Sequence, residues 1–221
     1  YTLSLHDALP ISGVGNTTLA LSTAVGLAED GFKVCYLELN DSKPAVPYWL
    51  GIDVISSGID DVLPVLEERD FDVLRNAIIK TADLKKDKSS LYFNSHAKLP
   101  NHLDFLFFSR EYLIRRKPLP FDQIRELYLA LIFQLHYDYV ILDASSTINE
   151  PLTEAALVYS NKIVVTLTPD VKSAGYHMFD LENLAERKIQ IAQKCTYVMN
   201  RFENSDVSLD RKSTRLNSSH G

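Results

Sequence analysis

Cysteine is scarce. The 221 residues contain two, Cys35 and Cys195, each inside an apolar run and neither at a metal-ligand spacing. That excludes a disulfide-dense scaffold and a cysteine-held zinc site, and both thiols are expected to be buried in a reducing compartment. Long hydrophobic runs are missing too. No segment approaches the roughly 20 apolar residues that cross a bilayer, so the chain is expected to be soluble and cytoplasmic, with attachment to the inner face of a membrane left open. Positive charge is short: 23 Lys and Arg stand against 29 Asp and Glu, a formal net charge of −6. Such a balance argues against a sequence-independent grip on DNA, which needs clustered cations to displace phosphate counterions. The basic knot Arg115, Arg116 and Lys117 reads as a solvated helix end. No internal repeat and no low-complexity linker divides the chain, and its length suits one large domain.

Both ends stand apart from the rest. "YTLSLHDALPIS" and "DRKSTRLNSSHG" resemble in-frame translations of the adapter oligonucleotides ligated to fragments for short-read DNA sequencing. Back-translation with ordinary codons gives those adapters almost base for base. Residues 1–11 and 210–221 are therefore expected to be adapter-derived, as a tag would be. The expected domain is 12–209, truncated at both ends. It would lack its native first strand, so that edge of the sheet is expected to be disturbed or filled by adapter residues such as "ALPIS".

Within 12–209, short apolar runs alternate with amphipathic ones. Strands are predicted over 33–39 ("KVCYLEL"), 90–94 ("SLYFN"), 138–144 ("DYVILDA"), 162–168 ("KIVVTLT") and 195–200 ("CTYVMN"). Helices are predicted over 17–29, 59–67, 71–81, 121–135, 152–159 and 173–187. The strands are continuously apolar rather than alternating, as burial on both faces requires. The fold class that follows is α/β: a mostly parallel twisted sheet with helices on both faces, a three-layer sandwich. The stretch 85–120, with charge, prolines and "LDFLFF", gives no clear pattern.

"SGVGNTTLALSTA" (Ser12–Ala24) carries the first chemical signal. A glycine-rich turn running into a helix brings backbone N–H groups and the helix dipole round a small anion. Gly13 and Gly15 let the chain turn close to phosphate oxygens. Thr17 sits where a hydroxyl could ligate Mg²⁺, and Thr18 could reach an α-phosphate. The full motif has a lysine before the threonine; this sequence has Asn16, which can donate hydrogen bonds but supplies no charge. A plain helix N-cap accounts for Asn, Thr and Gly here equally well.

Further stretches bear on that choice. "GVGNTTLALSTAVGLAEDGFKVCYLELN" resembles the loop, helix and second strand of the MinD/ParA family of P-loop ATPases. "YDYVILDASSTINEPLTEAALVYSNKIVVTLTPD" is similar to that family's Walker B strand, switch region and next strand, and "YVMNRF" to its adenine-side strand end. The resemblance covers most of 13–209 and is loose between 44 and 135. It implies the P-loop NTPase fold, ATP and Mg²⁺ as cofactors, and a homodimer.

Position by position, the family pattern places phosphate contacts at Gly13, Val14, Gly15, Asn16, Thr17 and Thr18, and the metal at Thr17 and Asp143. Asp143 matches the Walker B aspartate; an aspartate capping the loop after a strand is the alternative. Glu38 matches an aspartate that positions or activates the attacking water, or is a polar strand end only. Asn40 matches a second aspartate and loses its charge. Pro169, Asp170 and Asn200 match positions bordering the adenine, though a proline commonly just ends a strand. The family's second, signature lysine would fall at Ile11, inside the adapter-like segment.

Two departures, Asn16 and Asn40, beside an intact loop, Thr17 and Asp143 are most similar to the CpaE/TadZ branch, whose loops are often degenerate. That branch helps place secretion and pilus machinery at a cell pole. The resemblance therefore implies a protein that binds ATP–Mg²⁺ weakly, hydrolyses little, and has protein partners at a pole or in membrane machinery. Two other readings stay open. One is an active ParA/MinD-type ATPase in chromosome or plasmid partitioning or septum placement; the other is a ligand-free pseudo-ATPase scaffold.

Overall fold

A computed structural model describes residues 2–7, 15–52, 54–86, 92–116, 118–120, 123–145, 147–148 and 150–201. In chain order the elements are β1 (Thr2–Asp7), α1 (Asn16–Glu29), β2 (Val34–Glu38), α2 (Val46–Trp49) and α3 (Ile59–Val62) with a 3₁₀ continuation over Leu63–Glu68. Then come α4 (Phe71–Ala77), β3 (Ile79–Lys80), α5 (Thr81–Leu84), α6 (Phe93–His96), β4 (Leu103–Leu106) and α7 (Arg110–Arg115). The chain goes on through α8 (Ile124–Leu129) with a π-turn over Ala130–Gln134, β5 (Tyr139–Asp143), α9 (Pro151–Tyr159), β6 (Lys162–Leu167), α10 (Val171–Glu186) and β7 (Cys195–Met199).

The seven strands form one sheet in the order β3-β4-β2-β5-β1-β6-β7. Every pairing is parallel except β3 with β4. Alternation along β2 shows how both faces are used. Val34 and Tyr36 join α1's Ala20, Ala24 and Ala28 in one core, while Cys35 and Leu37 join α3, α4, α8 and α9 in another. The three alanines recur every four residues, so one narrow stripe of α1 lies close against the sheet. The expected α/β three-layer architecture is what is found.

Four expectations need correction. Of "SLYFN", 90–91 lie outside the described residues and the rest runs into α6 (Phe93–His96), not a strand; the strand described in this region is β4, "LDFL". Its Asp104 hid the pattern. That carboxylate is accommodated because the Tyr137 hydroxyl donates to it at 2.7 Å. Second, the helix predicted over 59–67 changes to 3₁₀ geometry at Leu63, with Pro64 at its start. Third, the helix predicted over 71–81 stops at Ala77 because Ile79 and Lys80 pair with Phe105 and Asp104. Fourth, the residues expected to fill a sheet edge lie inside the sheet. Thr2–Asp7 runs between β5 and β6, and "ALPIS" lies outside the described residues. Cys35 is buried, Cys195 is half-buried, and both are free. No helix among the described residues is long and apolar enough to cross a membrane.

Candidate functional site

Parallel strands end at one edge of the sheet, and that edge gathers the chemistry. Glu38 closes β2, Asp143 closes β5, Thr166 and Leu167 close β6, and Asn200 follows β7. Into this row comes the start of α1. Gly15 adopts the left-handed conformation, φ 95°, which only glycine takes without strain. Its carbonyl accepts the Leu19 amide at 2.9 Å. Ser12, Gly13 and Val14 lie outside the described residues, as does Ile11.

Asn16 is turned into the protein. It is 3% exposed; its Nδ2 donates to Asp143 Oδ1 at 3.3 Å, and its Oδ1 accepts from the Thr166 hydroxyl at 3.4 Å. Thr17 donates to the same Asp143 carboxylate. Thr18 faces outward, exposed. One residue absent from the sequence-based candidates completes the cluster: the Tyr36 hydroxyl donates to Asp143 Oδ2 at 2.7 Å. A tyrosine within an apolar strand reads as core, and nothing in the sequence points to its hydroxyl.

Burial pushes the Asp143 carboxyl up to about 6, against the pull of the Tyr36, Thr17 and Asn16 donors. Glu38 pairs in register with Asp143. It accepts the Ala45 amide at 2.7 Å and the Val46 amide at 3.3 Å. Burial raises its carboxyl to about 8; the Ala45 amide opposes that, and the Asp143 charge adds to it. Glu38 is thus mainly a neutral acid at pH 7, and its oxygens are spent holding the turn into α2.

Of the other candidates, Asn200 lies against the loop. A Cβ on Gly15 would come within 2.5 Å of Asn200 Nδ2, and the Asn200 amide donates to Leu167 O at 2.8 Å. Asp170 caps α10, accepting the Ser173 amide at 2.7 Å and the Thr168 hydroxyl at 2.5 Å. Pro169 stands between β6 and that cap. Asn40 accepts the Lys43 amide at 3.2 Å, a local turn on the far side of Glu38. The structure therefore brings Gly15, Asn16, Thr17, Asp143 and Asn200 together, and gives Asp170 and Asn40 local hydrogen bonds.

A loop that turns through a left-handed glycine into a helix, beside a buried aspartate at the end of a parallel strand, is the geometry to compare with known proteins. No family model matches the chain, and no curated sequence is significantly similar to it. Solved structures do match. The ParA family ATPase of Chlorobium tepidum superposes with a TM-score of 0.68 at 17% identity, over 96% of this chain and 79% of that one. The chain has the MinD/ParA fold. The septum site-determining protein MinD of Pyrococcus horikoshii, complexed with Mg-ADP, matches at 0.63 and 18%, over 91% and 71%. The MinC:MinD cell division complex of Aquifex aeolicus matches at 0.63 and 18%, over 95% and 72%.

Within this MinD/ParA fold, the donor chemistry suits a magnesium ion. The Thr17 hydroxyl and the Asp143 carboxylate are hard oxygens, already within hydrogen-bonding reach of each other. No three His, Cys, Asp or Glu converge among the described residues, so a divalent cation here would draw its other ligands from water and nucleotide phosphate. Replacing Gly15 by alanine tests the loop. It is expected to destabilise the protein by about 1–3 kcal/mol in urea unfolding. Gly31→Ala supplies the reference, since Gly31 has φ 93° with nothing within 4 Å. A Gly15→Ala cost no larger than the Gly31→Ala cost would show that the Asn200 contact is unimportant.

Proposed function

We propose that this MinD/ParA-like chain is a nucleotide-binding protein with a degenerate phosphate loop. It binds ATP–Mg²⁺ weakly through 13–18, Pro169, Asp170 and Asn200, hydrolyses it little, and works as a homodimer in the localisation or assembly of pilus or secretion machinery. One observation carries the reading. The side chain at the lysine position is a buried neutral amide that bonds to Asp143 and Thr166, so no charge at this position meets the β and γ phosphates. Charge-assisted bonds to those phosphates are about twice as strong as neutral ones, and their loss weakens both binding and transition-state stabilisation.

The rest of the cluster agrees. Glu38, where the family resemblance puts a water-activating carboxylate, carries a proton near neutral pH and is engaged by two amides. A general base needs a free, ionised oxygen. Bound magnesium would supply charge neutralisation at the phosphates; Thr17 and Asp143 are the residues that would hold it. The structures this chain is similar to include a Mg-ADP complex and a complex between two cell division proteins. Those complexes support nucleotide as ligand and protein as partner.

Calorimetric titration of ATP into the full chain with Mg²⁺, alongside a phosphate-release assay, tests the reading. The expected result is a dissociation constant in the range of about 10 μM to 1 mM with less than one turnover per hour. Submicromolar binding with multiple turnover would favour the active partitioning ATPase instead. No heat and no turnover would leave the ligand-free scaffold.

A further inference from the structure

Tyr36 reaches farther than its place in the strand suggests. It pairs in register with Ile141, two residues before Asp143. Its side chain therefore runs along the sheet by about 7 Å, two strand residues, to reach the Asp143 carboxylate. An aliphatic side chain at that position stops short. The ring is fully buried, in the core that holds Ala20, Ala24 and Ala28 of α1, with Phe105 edge-on at 6.0 Å. With ring and hydroxyl so placed, the phenol has little freedom to swing away.

The consequence lies in lone pairs. An ionised carboxylate offers about four acceptor positions. Asn16 donates to Oδ1 and Tyr36 to Oδ2, and Thr17 donates as well. Three protein donors leave about one position for water on a cation. Hydrogen bonds to a charged group are the strong ones, so a hydrated cation must displace a good partner before Asp143 can orient it. Tyr36 and Asn16 thus satisfy the carboxylate without metal. Its neighbour across the sheet, Glu38, offers no alternative, since it accepts two backbone amides.

We propose that the Tyr36 hydroxyl stands at Asp143 where a metal-bound water would, and weakens this site's hold on a divalent cation, so that nucleotide binding gains little from one. The proposal deepens the nucleotide-binding reading and rests on it for the nucleotide, though not for the cation. Tyr36 is a positioning residue: it acts through Asp143 and sets what the site demands of its ligand.

Two measurements on the full chain test it. In the first, Mn²⁺ is titrated without nucleotide and followed by electron paramagnetic resonance. Tyr36→Phe, which keeps the ring, is expected to bind Mn²⁺ about tenfold more tightly than wild type. Tyr36→Leu, which removes the hydroxyl with a different shape, should move the same way. In the second, ATP affinity is compared in Mg²⁺ and in EDTA. Wild type is expected to change less than twofold, and Tyr36→Phe to become about tenfold weaker in EDTA than in Mg²⁺. A merely structural tyrosine would alter stability without altering cation dependence. Equal Mn²⁺ affinity in wild type and both variants, including none in any of them, overturns the proposal. So does a wild-type ATP affinity that collapses in EDTA. Should ATP bind in neither condition, the nucleotide reading fails, while the Mn²⁺ comparison still decides the role of Tyr36.

Discussion

Glu38→Gln is expected to stabilise the protein by several kcal/mol at pH 9 and to leave its stability at pH 5 little changed. Glu38 is 2% exposed, and burial raises its carboxyl from an ordinary 4.5 to about 8. The folded state therefore holds this proton more tightly than the unfolded chain. Below the unfolded value both states are protonated, and the stabilisation is fully present. As pH climbs from about 4.5 to about 8, the unfolded chain releases its proton while the folded protein keeps it, so stability falls; above about 8 the loss is complete. The size of the loss is on the order of 5 kcal/mol, the rise from 4.5 to about 8 taken at 1.36 kcal/mol per unit of pKa. Asp143, raised to about 6, adds a loss of the same sign over the lower part of that range. Glutamine keeps an acceptor for the Ala45 and Val46 amides and cannot ionise. Urea unfolding at pH 5, 7 and 9 gives the answer: the two proteins should diverge as pH rises. Parallel curves would mean that Glu38 is hydrated and ionised at neutral pH, which would reopen its role as a base.

How much of this was legible from residues alone differs from element to element. β2, β5 and β6 read correctly because a strand covered on both faces has no polar alternation to maintain, and "VCYLE", "YVILD" and "KIVVTL" show none. β4 did not, because Asp104 interrupts an apolar run that Tyr137 makes tolerable from 33 residues away. Such a partner is invisible until the fold exists. "SLYFN" misled for the opposite reason: a short apolar run carries no periodicity that separates strand from helix. Thr17 and Asp143 were readable as a pair because both lie in stretches with a family resemblance. Asn16 was readable as a departure, but not in its direction. Its contact with Asp143 spans 127 positions, and nothing local says whether an amide at the first residue of α1 faces the ligand or the sheet. Tyr36 was hidden most thoroughly, since its ring obeys the core pattern and only its oxygen does not.

Restoring a lysine at position 16 is expected to raise ATP affinity by about tenfold to a hundredfold, the worth of one charge-assisted bond to phosphate at about 1.5–3 kcal/mol. The site has no room for the ammonium where the amide now sits, among Asp143, Thr166 and the start of α1, with 3% of Asn16 exposed. A longer arm leaving the same Cα must either follow the sheet edge outward or form a buried ion pair with Asp143. The outward course is favoured once a triphosphate arrives, because the phosphates offer the ammonium more charge than one carboxylate does. Removal of the amide withdraws a donor from Asp143 and an acceptor from Thr166, so the free protein should lose about 1 kcal/mol of stability. Selectivity separates this mechanism from a general rise in positive charge. A lysine reaching the β and γ phosphates should strengthen ATP and ADP binding and leave AMP unchanged. Calorimetry with the three nucleotides reads the affinities, and urea unfolding of the free protein reads the stability. An equal gain for AMP would assign the effect to long-range attraction. Unchanged ATP affinity in a folded Asn16→Lys protein would mean that the turn at Gly15 does not hold phosphate, and the nucleotide-binding reading of this edge of the sheet would fall with it.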